Sequence, residues 1–147
     1  MKTLVLGLGN LLLCDEGVGV HAVRALMEEG CPEEVTVLDI GTAILDALEA
    51  IEEAERIVVV DAVMAEDGVP GSVYRMPLNA FESPTSIASM HGFDLSRVLK
   101  LTTRTAPPEV VVIGVEPETI AWSLDLSPVL AEALPVIIET IRKEIAA

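Results

Sequence analysis

Five residues in this chain are of types that do chemistry and stand where a fold could gather them: Asp15, Glu16, Asp39, Asp61 and His91. Each acid follows an apolar run. Leu4-Val5-Leu6-Gly7-Leu8-Gly9-Asn10 leads through Leu11–Cys14 to Asp15-Glu16-Gly17, Val35-Thr36-Val37-Leu38 ends in Asp39, and Ile57-Val58-Val59-Val60 ends in Asp61. His91 stands in Ser89-Met90-His91-Gly92, where an irregular connection gives way to a helix; the other histidine, His21, lies one turn into the first helix. Two carboxylates about 5 Å apart repel by roughly 3 kcal/mol at an effective dielectric near 20. That is enough to raise one pKa or to recruit a cation. Two carboxylates and an imidazole offer oxygen and nitrogen ligands with open positions, a set suited to a borderline divalent ion such as nickel or zinc.

Each residue also has an ordinary explanation. Glu16 suits a helix N-terminus, where the dipole favours an acid. Asp61 suits a strand end, His91 a cap or solvated loop, and Asp39 a tight turn with Gly41. Cys14 lies near the acids and is a further candidate ligand, against simple burial. Cys31 reads as a structural residue at a helix end. The two cysteines form no CxxC pair, and no disulfide is expected. The chain has no Gly-x-Ser-x-Gly elbow, no His-Glu-x-x-His helix and no Cys/His nucleophile pair.

Strands and helices must alternate to position these groups. Strands are expected over about 3–9, 35–39, 56–61 and 109–115, with a short edge strand at 72–76. Helices are expected over 16–29, 43–52 with Thr42 as cap, 92–103, and from Ser127 and Pro128 to about 144, where Pro135 interrupts. Residues 64–71 read as a loop and 77–91 as a mostly irregular connection. Such alternation predicts a single α/β domain over residues 1–147. Its architecture is a three-layer α/β/α sandwich with a mostly parallel twisted sheet of about five strands. In a 2-1-3-type strand order the crevice at the carboxyl ends of strands one and three receives ligands. That order brings Glu16 and Asp61 together, and Asp39 to the same edge.

Composition limits the partners. Aromatic residues make up 3% of a chain that is 51% hydrophobic, so the core rests on Val, Ile, Leu and Ala. The net charge of −15 repels a phosphate backbone and argues against nucleic acid. No apolar run is long enough for a membrane span, and no signal peptide opens the chain, so a cytoplasmic protein is expected.

Gly7-Leu8-Gly9-Asn10-x-Leu12-x-x-Asp15-Glu16-Gly17-x-Gly19 resembles the opening signature of the hydrogenase maturation endopeptidases. The resemblance continues nearly end to end through Asp39-Ile40-Gly41-Thr42, Val60-Asp61-Ala62, the segment around His91, and Gly114-Val115-Glu116-Pro117-Glu118. Ile40 stands where that family commonly has glycine. The resemblance implies a protease that trims a C-terminal extension from the large-subunit precursor of a nickel–iron hydrogenase. It further implies that Glu16, Asp61 and His91 ligate nickel borne by that substrate, with another divalent ion as an option in the isolated protein, and that Asp39 orients the substrate or a water. The oligomeric state is left open, and a monomer is compatible.

Two rival enzyme classes fit less well. A dinucleotide fingerprint needs a third glycine where Leu12 stands. Peptidyl-tRNA hydrolases open with a similar Gly-Leu-Gly-Asn, but continue with Pro-Gly and handle a polyanion. A nickel-dependent checkpoint that binds the loaded subunit without cutting it would use the same three ligands.

Overall fold

The computed structural model describes residues 2–82, 87–88, 91–103 and 106–147. Five strands form the main sheet: β1 (Thr3–Leu8), β2 (Val35–Gly41), β3 (Arg56–Ala62), β5 (Val73–Pro77) and β7 (Glu109–Val115). Their order is β2-β1-β3-β7-β5, all parallel except the edge strand β5, which runs antiparallel to β7. The helices are α1 (Val18–Glu29), α2 (Leu48–Glu53), α3 (Leu78–Glu82), α4 (Gly92–Leu99) and α5 (Pro128–Ala146). A separate two-stranded ribbon pairs β4 (Met64–Ala65) with β6 (Ile87–Ala88).

Side-chain alternation along the strands explains the three layers. In β3, Ile57 and Val59 enter one core with Leu4, Leu6, Ile51 and Leu95, while Val58 and Val60 enter a second core with Val5, Val23, Leu26, Leu130 and Ile137. Strands buried on both faces read as unbroken β-branched runs. Burying each such side chain stabilises the fold by about 1.5–3 kcal/mol. The first core packs α2 and α4, and the second packs α1 and α5.

The expected sandwich and strand order are therefore present, with several local corrections. The helix expected from residue 16 begins as a 3-10 turn, Cys14–Gly17, before α1 starts. The one expected over 43–52 is a 3-10 turn, Ile44–Ala47, leading into α2. Thr42 does not cap it: the residue at the cap position is Ala43, and no side chain bonds there. The loop expected over 64–71 begins with β4, and the connection over 77–91 contains α3 and β6; its residues 83–86 and 89–90 lie outside the described residues. Helix α4 stops at Leu99 instead of 103. Helix α5 runs through Pro135, as expected, and on to Ala146. Pro135 and Ala131 both face solvent, so the carbonyl that loses its helical partner is open to water. Ser127 caps α5 as expected, its hydroxyl accepting from the Leu130 amide.

Two glycines let the first loop lie close over the strand ends. Gly9 has φ +130°, and a Cβ there would stand 2.1 Å from the Glu16 carbonyl oxygen. A Cβ on Gly19 would meet the carbonyl oxygens of Val60 and Leu8 at 2.1 and 2.4 Å. The glycine pattern that looks like a phosphate cradle thus serves backbone packing: it seats the 3-10 turn and the start of α1 on β1 and β3.

Candidate metal centre

The 3-10 turn after β1 delivers Glu16, the end of β3 delivers Asp61, and the residue before α4 delivers His91. All three are buried. One ligand-type atom from each lies within 4.8 Å of the others. The His91 Nδ1 is 2.8 Å from Asp61 Oδ2, and its Nε2 is 3.4 Å from Glu16 Oε1. Asp61 Oδ1 accepts from the Ala62 amide at 2.8 Å, and Glu16 Oε2 accepts from the Asn10 amide. His91 occupies the N-cap position of α4, but its side chain makes no capping bond and turns to the carboxylates instead.

Among the described residues, two carboxylates here face one imidazole. Burial pushes the Glu16 carboxyl above its usual range; Asp61 adds to this, while the Asn10 amide and His91 oppose it. Burial works to lower the His91 imidazole, yet hydrogen bonding and attraction to Asp61, with the charges of Glu16 and Asp94, outweigh it and raise its pKa. Both carboxylates thus favour the charged form of the imidazole, as they would favour a bound cation. Donor types and spacing fit a divalent ion, whose oxygen and nitrogen ligands sit about 2.0–2.2 Å from the metal.

Asp39 does reach the carboxyl edge of the sheet, but it stands apart from this cluster. Its Oδ2 accepts from Arg24 Nε of α1 at 2.7 Å, on a solvent-facing flank. Ile40 beside it packs against the first core, and the left-handed conformation in this turn falls on Gly41, at φ +62°. Cys14 is buried with its Sγ 3.7 Å from Asp15 Oδ1; burial, then the Asp15 charge, raises its pKa, and it is no member of the cluster. Both cysteines are free thiols. His21 is half-buried on α1 beside Arg24 and Asp125, outside the cluster, and burial lowers its pKa.

Asp15 is the residue whose role the sequence reading missed. Its carboxylate accepts from the amides of Glu118, Thr119 and Ser127 at 2.8–2.9 Å and from the Ser127 hydroxyl at 2.7 Å. Burial works against its charge, but these donors prevail and hold the carboxyl below its usual range. Asp15 therefore clamps the turn bearing Glu16 to the segment that leads into α5. Its adjacency to Glu16 was the available signal, since neighbouring residues in a 3-10 turn point in directions roughly 120° apart and only one of them faces the crevice. Glu116 is a second buried structural acid, accepting from the Ala65 amide at 2.9 Å and the Tyr74 hydroxyl at 2.8 Å.

Known proteins share this chain's sequence and fold. The family model described as hydrogenase maturation protease matches residues 20–144. The hydrogenase 2 maturation protease of Escherichia coli is 34% identical over 134 residues, covering 87% of this chain and 80% of its own length. The structure of the hydrogenase maturating endopeptidase HybD from E. coli superimposes with a TM-score of 0.83 at 30% identity, over 96% of this chain and 90% of that one. HybD from Thermococcus kodakarensis, a [NiFe] hydrogenase maturation protease, gives 0.84 at 29% identity, over 97% and 98% of the two chains.

Proposed function

The chain belongs to the hydrogenase maturation protease family, and we propose that it is the endopeptidase that removes the C-terminal extension from the nickel-loaded large-subunit precursor of a nickel–iron hydrogenase. The observation carrying this reading is the convergence of Glu16, Asp61 and His91 in a buried cluster with two acids and one imidazole. Nickel belongs here to the substrate. It arrives on the precursor's thiolates, and the three side chains complete its coordination. Docking the metal fixes the scissile peptide at the carboxyl edge of the sheet, so only a loaded precursor is presented for hydrolysis. Asp39, held by Arg24 on the same edge, orients the incoming chain. The reaction belongs in the cytoplasm, where free thiols such as Cys14 and Cys31 persist.

The test compares nickel-loaded with metal-free precursor, incubated with this protein and read by subunit mass. Cleavage of the loaded form alone supports the reading. Cleavage of both forms alike removes the metal from recognition. Tight binding of the loaded form without any change in mass makes the chain a non-cleaving checkpoint.

A further inference from the structure

Two bonded loops beside the metal centre hold apolar side chains out in water. One is 10–13, after β1; the other is 116–127, between β7 and α5. Trp122 is 80% exposed, Leu124 61% and Leu12 51%, and Ile120 is exposed as well. Single exposed apolar residues are ordinary, but a cluster of them marks an interaction surface. These residues are clustered by backbone bonds. Leu13 bridges Ser123, the Cys14 amide donates to the Ser123 carbonyl at 2.9 Å, and the Ser123 amide donates to the Leu12 carbonyl at 3.0 Å. The buried Asp15 carboxylate then pins Glu118, Thr119 and Ser127 on both sides of the tryptophan. Anchored in this way, the loop keeps Trp122 in solvent. A rigid aromatic displayed like this loses little conformational entropy on binding.

We propose that this surface docks the body of the metal-loaded precursor, against a patch that is apolar with lysine and arginine at its margin. The inference rests on the function proposed above. Continuity with the metal centre selects the partner. Asn10 opens the loop that contains Leu12, and its amide bonds Glu16. Leu12 therefore stands two residues from a group bonded to Glu16, so a macromolecule docked on this surface borders the cluster. Charge selects the margin. Residues 10–17 and 116–127 contain no lysine or arginine; of their acids, Asp15, Glu16 and Glu116 are buried. Glu118 and Asp125 are exposed on the same loop as Trp122. The same charges disfavour a second copy of this chain, since two chains of −15 would meet acid to acid.

The test uses full-length wild type, Trp122→Ala and Trp122→Lys, with processing of nickel-loaded precursor followed at varied precursor concentration. Trp122→Ala is expected to raise KM about tenfold, as loss of a central aromatic anchor does. Trp122→Lys raises it further, and kcat in both stays within about twofold of wild type. Thermal unfolding should be unchanged, because so exposed a side chain contributes little to the core. A Trp122→Lys variant that processes with the wild-type KM overturns the docking surface alone. So does sedimentation showing a wild-type dimer that Trp122→Lys dissolves. A wild-type chain that leaves the loaded precursor whole overturns the functional reading, and this inference with it.

Discussion

Strand β3 has a buried ionisable residue near each end, and the two are served very differently. Arg56, at the amino end, meets Glu144 of α5 through both the Glu144 carbonyl and its carboxylate. Arg75 of β5 bonds the same carboxylate, and Glu109 lies 3.7 Å from Arg56 Nε. Two guanidiniums face two carboxylates. At the carboxyl end, Asp61 and Glu16 share one imidazole. The titration behaviour follows the arithmetic. Arg75, then Arg56, hold the Glu144 carboxyl below its usual range, whereas burial pushes that of Glu16 up. The amino-end cluster balances its charges within the chain, though Arg56 Nε makes no hydrogen bond among the described residues, and it serves stability. Among the described residues the carboxyl-end cluster sets one imidazole against two carboxylates, the imbalance on which the proposed docking of a substrate-borne cation rests.

Replacing one acid at each end should separate these roles. Glu16→Gln is expected to slow processing of loaded precursor roughly a thousandfold, about 4 kcal/mol of lost transition-state stabilisation. Its stability against urea should hold or rise, because one of two repelling carboxylates is gone. Rapid processing by this variant would remove Glu16 from the site. Glu144→Gln should do the reverse. Leaving Arg56 buried without the Glu144 charge costs about 3 kcal/mol of stability, measured by chemical denaturation, while the folded fraction still processes precursor. Equal stability losses at the two ends would erase the contrast.

Asp15→Asn is a finer test within the carboxyl end. An amide cannot accept from all the donors around Asp15 with full charge, so stability should fall by about 2 kcal/mol. Processing should fall too, because the turn presenting Glu16 loses its clamp to 118–127. Unchanged denaturation would show that the clamp is slack. The smallest effect is in pH. A carboxylate with a depressed folded pKa stabilises above its unfolded value, near 4.3, and loses that contribution as pH falls through the folded value. The stability gap between wild type and Glu144→Gln should therefore stand at pH 6 and narrow steadily below about pH 4. A gap that persisted to pH 2 would deny the ion pair its role.

The neighbours Asp15 and Glu16 also mark how far the sequence can be read. The β-branched runs at 56–60 and 110–113 had no other use than doubly covered parallel strands, so the sheet and its crevice were legible. Glu16 and Asp61 followed from strand order, and His91 from being a loop histidine in a chain with two. The function of Asp15 was not legible, because its partners lie more than a hundred residues away and three of them are backbone amides. The elements β4, α3 and β6 escaped for a related reason: each has five residues or fewer, too short for a periodic pattern to rise above composition. Thr42 failed as a cap because the chain leaves Gly41 in a left-handed turn and tightens into a 3-10 segment. Pro135 sits inside α5, as the sequence reading has it, and falls on the exposed side.

The claim that the carboxyl-end cluster awaits a cation from the substrate is tested most directly at the nickel itself. X-ray absorption at the nickel edge would be recorded on loaded precursor made uncleavable at its scissile bond, alone and in complex with wild-type protein. The account predicts that the complex adds oxygen and nitrogen scatterers to the sulfur shell, and that Glu16→Gln removes part of that addition. A nickel environment identical in the free precursor and in a demonstrably formed complex would contradict it.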